Sequence, residues 1–502
     1  MLILSRTHAW PILAPAQVRQ LEPALQAQSA KPLMQSAGLA CARLALAVAP
    51  HARRVWVAAG QGNNGGDGLE AALHLHHWGK EVRVSLMTSN RPGPADAQAA
   101  LQRAQQAGVR IQSGVPTEWL QQLDAQDLCI DALLGMGATR PLSANLRACV
   151  QAMHHCLAPV LSIDVPTGLN PQSGQWLGED SNNGETLAVR AEHTLSLIAV
   201  QPGLLMGHGR DASGHIWLDN LGYQHSQHSV PPLAWLNYPY TPKPKPHASH
   251  KGSHGDVAVI GGEGLAAHGM DMRGAAVLAA TAALHAGVGR VILSLLSSQA
   301  NDSVPPDVMQ REFKRLELEK LHVVCGCGGG SAVQAVLPEV LQRSAQLVLD
   351  ADGLNAVACD NSLQNALRQR ATLQTASQPT VITPHPLEAA RLLGCNTAQV
   401  QNDRLTAAQE LAERFQCSVV LKGSGTVIAA PRHTPRINTT GNGRLAIGGT
   451  GDVLAGLVGA RMAQGLSAFD AACAAVAQHG QLADDWPTDE ALTASRLAQR
   501  LV

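Results

Sequence analysis

Short apolar runs alternate along the chain with longer stretches in which Ala, Leu and Gln recur at helical spacing. In the first half the runs are Arg54–Ala58, Val82–Leu86, Asp127–Ile130 and Pro159–Ile163, too short for helices and rich in Val, Leu and Ile. Between them, 94–107 and 143–157 read as helices. In the second half Asp256–Ile260, Arg290–Leu293, His322–Cys325, Leu347–Leu349, Thr380–Ile382 and Ser418–Leu421 take the part of strands. This rhythm predicts an α/β fold with two domains, each a mainly parallel sheet with helices on both faces. Sheets of that kind hold ligands at the carboxyl ends of their strands, so chemistry is sought there.

The rhythm breaks over 223–250, where His, Pro, Ser and Tyr gather and Pro alternates with Lys from Thr241 to His247. Prolines at this spacing block both a helix and a central strand. An extended linker over 226–244 is predicted, between domains at 1–225 and 245–502. A chain of 502 residues is too long for one ordinary core, and 45% apolar content supplies two. The 37 basic and 38 acidic residues nearly cancel and form no run of one sign, so neither nucleic acid nor a membrane surface is an expected partner. Ten cysteines show no disulfide or zinc spacing and read as reduced, mostly buried thiols. No apolar run reaches the ~18 residues of a membrane span and no leader-like start is present; a cytoplasmic protein is expected.

Candidate chemistry follows the strand ends. After the first strand comes Gly60-Gln-Gly-Asn-Asn-Gly-Gly-Asp-Gly68 and then an apolar helix, a unit suited to holding a pyrophosphate at the helix N-terminus. It lacks the Lys-Ser/Thr of a Walker loop. Asp131 and Asp164 each follow an apolar strand. One such Asp is often only a helix cap. Two of them beside a Gly-rich loop argue for a polar pocket.

In the second half, Asn442-Gly-Arg-Leu-Ala-Ile-Gly-Gly-Thr-Gly-Asp452 opens an apolar helix. Glycines at a helix start can form an anion hole for a phosphoryl group, and Asp452 is placed to take a proton from an attacking hydroxyl. A first-turn Asp accounts for Asp452 alone but not for the glycines and Thr450 before it. Leu421-Lys-Gly-Ser-Gly-Thr-Val427, His385 with Glu388, Asp350 to Asn355 and Cys325 to Gly330 stand at further strand ends.

Gly62 to Gly68, Asp131 with Gly135 to Pro141, and Ser162 to Gly168 together resemble the NAD(P)H-hydrate epimerases, which implies a Rossmann-like first domain. The resemblance covers nearly all of 10–222. It implies that Asn63, Asn64, Gly65, Gly66 and Asp67, with Gly135, Met136, Gly137, Ala138, Thr139, Arg140 and Pro141, hold the substrate, and that Asp164 works at the reacting end. It also implies a potassium ion on Asn64, Asp131 and Thr167, whose oxygens suit a hard cation. Gln201 stands where a Lys is usual, which affects a secondary phosphate contact. The substrate, a hydrated NADH, is a carbinolamine at C6 that opens and recloses; exchanging its epimers needs a proton taken from and returned to that centre, by Asp164.

Residues 245–485 resemble the ribokinase-like NAD(P)H-hydrate dehydratases. This implies nucleotide binding by Lys422, Gly423, Ser424, Gly425, Thr426 and Gly451, and contact of Ala275, Gly328, His385 and Asp452 with hydrated nicotinamide. Asp452 is the implied base. Cys327 replaces a usual Pro, Leu445 a usual Met, and the 261–274 loop is unusual. The implied co-substrate is ADP or ATP with Mg2+, and the implied partners are small molecules, hydrated NADH and NADPH among them, in a homo-oligomer. The Gly-Asp motif also permits a small-molecule kinase joined to a non-catalytic ligand-binding module, against which the polar pocket of the first half weighs; Asn63, Asn64, Asp131 and Asp164 argue against the first half being a scaffold.

Overall fold

The computed structural model describes residues 1–4, 9–88, 92–178, 188–225, 230–241, 244–265, 269–297, 304–371 and 378–501. The chain forms two compact units, one built on residues 10–234 and the other from Trp235 onward. Both are α/β.

The sheet of the first unit runs, edge to edge, Leu2–Ile3, His215–Asp219, His193–Leu197, Val160–Ile163, Leu128–Ala132, Arg54–Ala59, Glu81–Leu86 and Arg110–Gln112. Every pair is parallel except the first, which is antiparallel. Side chains alternate across it with the two-residue period of a strand. Val55, Val57 and Ala59 join one apolar layer with Leu69, Leu75 and Leu44, while Trp56 and Ala58 join another with Trp119, Val150 and Met153. The sheet is therefore buried on both faces. Strand order reverses between Arg54–Ala59 and Leu128–Ala132, which opens a crevice at their carboxyl ends.

In the second unit, Met309–Gln310, Arg290–Leu295, Asp256–Gly261, His322–Cys325, Gln346–Leu349, Thr380–Ile382 and Ser418–Leu421 lie side by side in parallel. Thr426–Ala429 and Arg436–Asn438 extend it antiparallel. The reversal falls between Asp256–Gly261 and His322–Cys325. With few aromatics to fill it, this core uses close helix contacts instead. Gly456, in Thr450–Ala463, faces the backbone of Arg273–His285, where a Cβ would come within 2.1 Å of the Ala279 carbonyl oxygen. That contact fixes the helix carrying Asp452.

The predicted linker is only partly irregular. Ala234–Leu236 pairs in parallel with Arg436–Asn438, Trp235 opposite Arg436. This tripeptide has no proline and buries alternate residues, which is enough to add a strand. Residues 226–229 and 242–243 of the predicted linker, and 266–268 of the unusual loop, lie outside the described residues.

Candidate functional site: two strand-end sites

In the first unit the helix Asn63–His77 starts directly after an extended Gly62 that offers no side-chain cap. Its first N–H groups have no partner within the helix and carry the positive end of its dipole. They border a cavity of about 780 Å³, lined by Asn63, Asn64, Asp67, Gly135, Met136, Gly137, Ala138 and Asp164 among others. Gly65 and Gly66 sit behind this wall. A Cβ on Gly65 would come within 1.8 Å of the Gly60 carbonyl oxygen, so glycine there lets the loop fold onto itself. Thr139, Arg140 and Pro141 are exposed and do not line the cavity.

Asp164 is held in the left-handed region, φ +67°, directly after the strand Val160–Ile163. Its Oδ2 accepts the Met136 N–H at 2.6 Å, and its buried Oδ1 has no partner among the described residues. Gly135 makes that approach possible, since a Cβ there would lie 2.6 Å from Oδ2. Burial raises the Asp164 carboxyl to about 6, opposed by the Met136 N–H. Burial also raises Asp67 well above the usual range, helped by the charges of Asp164, Glu22 and Glu70. Two carboxyls in one pocket that disfavour joint ionisation can share a proton.

Asp131 is fully buried and its four acceptor positions are filled. Oδ1 accepts from Thr167 Oγ1 at 2.7 Å and Leu133 N at 3.2 Å; Oδ2 accepts from Thr167 N at 2.8 Å and Ser162 Oγ at 2.9 Å. Thr167 Oγ1 in turn accepts the Leu134 N–H at 3.0 Å. Of the three ligands implied for potassium, Asp131 and Thr167 thus satisfy each other, while both polar atoms of the buried Asn64 amide lack a partner among the described residues. Asn64 Oδ1 fits a hard cation, and the Asp131 carboxyl and Thr167 hydroxyl are hard oxygens already bonded to each other. Gln201 is buried, with its amide nitrogen 3.3 Å from the Ala199 carbonyl, and faces inward.

The second site gathers around Asp452, third residue of Thr450–Ala463, which begins after Gly449 at φ +92°. Thr450 Oγ1 donates to the carbonyls of Leu445 and Ile447 at 2.9 and 3.1 Å, pinning the glycine loop to the helix. Behind it the Nε2 of buried His479 meets the Thr450 carbonyl at 3.0 Å, and burial lowers this imidazole to about 4, so it is neutral.

Cys327, Asp350 and Asp452 bring a thiol and two carboxylates together, their nearest polar atoms all within 4.8 Å of one another. Burial and then the Asp350 charge raise Asp452 to about 6; the Cys327 thiol, hydrogen-bonded to it, and Lys422 pull it down. Lys422 Nζ is 2.7 Å from Asp350 Oδ1 and 4.0 Å from Glu388 Oε2. A Cβ on Gly451 would stand 3.5 Å from the same Nζ. His385 caps Pro386–Leu393: its Nδ1 accepts from Leu387 N and Glu388 N, and its Nε2 faces Glu388 Oε1 at 3.2 Å. Burial, chiefly, lowers His385 and raises Glu388 to about 7. Gly328 adjoins Ala275, whose Cβ would be 2.9 Å from one added to the glycine.

The family described as NAD(P)H-hydrate dehydratase matches residues 257–502, and that described as YjeF-related protein N-terminus matches 30–203. The bifunctional NAD(P)H-hydrate repair enzyme of Escherichia coli is 34% identical over 472 residues, covering 90% of this chain and 84% of its own. Its counterpart in Leishmania braziliensis is 33% identical over 518 residues, covering 95% and 89%. The chain belongs to the family of bifunctional NAD(P)H-hydrate repair enzymes. An ADP/ATP-dependent NAD(P)H-hydrate dehydratase from Bacillus subtilis, co-crystallised with ATP and Mg2+, is 28% identical and covers 53% of this chain and 92% of its own at a TM-score of 0.42. Because relatives match both halves together, the hydrate-repair reading stands over a kinase with a non-catalytic module.

For this hydrate-repair family member, sequence reasoning passed over Arg404. It is buried, and its Nη2 donates to the carbonyls of Leu421 and Lys422, both at 3.1 Å. It shapes the turn that carries Lys422 to Thr426, and Gly423, at φ +140°, leaves room for its guanidinium. A single Arg on an amphipathic helix reads as surface, so the sequence carries no signal for it.

Proposed function

We propose that the first unit exchanges the R and S epimers of hydrated NADH and NADPH, and that the second restores the S hydrate to NAD(P)H at the expense of ADP or ATP. The observation that carries this reading is that each unit sets one carboxyl, the buried Asp164 or the half-buried Asp452, at about 6 beside a helix N-terminus suited to phosphate.

At the first site the Asn63–His77 helix start binds the substrate's pyrophosphate, and Asp164 faces C6. Its carboxylate takes the C6 hydroxyl proton as the C6–N1 bond breaks and delivers it to N1. Reclosure on the other face of the aldehyde reverses the transfer and inverts C6. Potassium held through Asn64, beside the Asp131–Thr167 wall, would supply a fixed positive charge. Asp67, raised well above the usual range, holds the proton that keeps the pocket from carrying two charges.

At the second site Asp452 accepts the C6 hydroxyl proton as that oxygen attacks the terminal phosphorus of the nucleotide. The N–H groups at Thr450 and Gly451 and the Lys422 ammonium offset the charge on the moving phosphoryl group. The new phosphate leaves as the N1 lone pair forms a C–N double bond, and loss of the C5 proton restores the dihydropyridine. Hydroxide is a poor leaving group at neutral pH; phosphate is a good one. The nucleotide's Mg2+ would find a hard oxygen donor in Asp350.

The test is phosphate release from purified S hydrate with ADP and with ATP. One phosphate per NAD(P)H restored supports the reading, and dehydration without nucleotide consumption overturns it.

A further inference from the structure

The strand Leu128–Ala132 carries Cys129 into the apolar layer that packs beneath the helix Ala144–His155, and that helix ends on Cys156 as its C-cap. The two sulfurs stand 3.7 Å apart, with Cys129 donating its S–H to Cys156. Their surroundings differ. Cys129 is fully buried, whereas Cys156 is half-buried and lines a separate cavity of about 610 Å³ with His154, Leu157, Arg190 and Glu192.

We propose that Cys156 and Cys129 form a peroxide-reactive dithiol, with Cys156 the attacking sulfur and Cys129 the resolving one. Each half of the pair has the environment its role requires. The S–H from Cys129, followed by the N–H groups of Ala158 and Leu157, favours the Cys156 thiolate against the cost of its burial. The same contact and full burial push the Cys129 thiol up, so it keeps its proton until Cys156 has reacted. Asp127, a carboxylate whose charge acts on both sulfurs, is occupied by the N–H groups of Arg53 and Arg54. Glu192 accepts Val160 N, and His154 meets the Ala188 carbonyl.

The chemistry balances with hydrogen peroxide as oxidant. The Cys156 thiolate attacks one peroxide oxygen, the O–O bond breaks, and hydroxide leaves a sulfenic acid. Cys129 then attacks that sulfur, its proton and the sulfenic oxygen depart as water, and a disulfide remains. Two thiols and one peroxide give one disulfide and two waters. The sulfurs stand 3.7 Å apart and must close to the bond length of about 2.05 Å.

The full chain is treated with one equivalent of hydrogen peroxide, and its cysteine peptides are mapped by mass spectrometry. The expected product is a Cys129–Cys156 disulfide, formed before the exposed Cys359 is oxidised and reversed by dithiothreitol. Cys129→Ser stops at a Cys156 sulfenic acid that dimedone traps, and Cys156→Ser forms no disulfide at residue 129. Oxidation of Cys156 no faster than of Cys359, or a disulfide between other cysteines, overturns the proposal. A fold check on both variants by circular dichroism separates lost reactivity from lost structure.

Discussion

Lys422 Nζ lies 2.7 Å from Asp350 Oδ1 and 4.0 Å from Glu388 Oε2, so one ammonium holds two buried carboxylates in the second site. It also lowers the Asp452 carboxyl, against burial and Asp350. Replacing it with Lys422→Met removes that lowering charge. The Asp452 pKa then rises above about 6, and because the base works ionised, the acid limb of the dehydration rate moves to higher pH. A pH–rate profile of kcat with S hydrate checks this; an unmoved limb contradicts it. The orphaned carboxylates also destabilise the unit, by roughly 3–5 kcal/mol if both stay charged.

Asp164→Asn is expected to lose activity and gain stability together. Asn tolerates the left-handed backbone that Asp164 adopts and can still accept the Met136 N–H. Without the acid/base group, epimerisation falls by ~10²–10⁴. The folded carboxyl sits at about 6 against its ordinary 3.8, so the native state binds more protons between those values, and stability falls as pH rises through them. Above that window the buried charge weakens the fold, and the amide removes the cost. The melting temperature of the variant should exceed that of the wild type at pH 7.5, and the gap should close in acid. A variant that melts lower at pH 7.5 contradicts the burial argument.

Much of this was legible because parallel strands are unbroken apolar runs with polar residues only at their ends. Arg54–Ala59, His322–Cys325 and Ser418–Leu421 all lie where their Val, Leu and Cys runs indicate, Asp164 lines the strand-end cavity of the first unit, and Asp452 stands with Cys327 and Asp350 in the second. What the sequence hid depends on partners distant in the chain. Thr167 filling the acceptors of Asp131, Arg404 reaching back to Leu421, and Lys422 turning to Asp350 are contacts that no spacing reports. Ala234–Leu236 was hidden by its setting: three apolar residues among prolines.

The cation reading concerns the first site alone. Replacing potassium with tetramethylammonium should slow epimerisation and leave dehydration of purified S hydrate unchanged. Asn64→Ala should give the slow rate in either salt, because the amide oxygen with no other partner among the described residues is gone. Equal epimerisation rates in both salts for the wild type would remove the ion from the account.

The most direct test gives the full chain an equal mixture of R and S hydrates with excess nucleotide and follows reduced-nicotinamide absorbance. Phosphoryl transfer needs the C6 hydroxyl in line with the nucleotide beside Asp452, and a misplacement of about 1 Å already costs ~10²-fold, so only one epimer should react. The wild type should convert the whole mixture. Asp164→Asn should stop near half, apart from slow spontaneous epimerisation, and Asp452→Asn should restore none while still exchanging the epimers. Full, rapid conversion by Asp164→Asn, or recovery of NAD(P)H by Asp452→Asn at more than a tenth of the wild-type rate, would contradict the division of labour between the two sites.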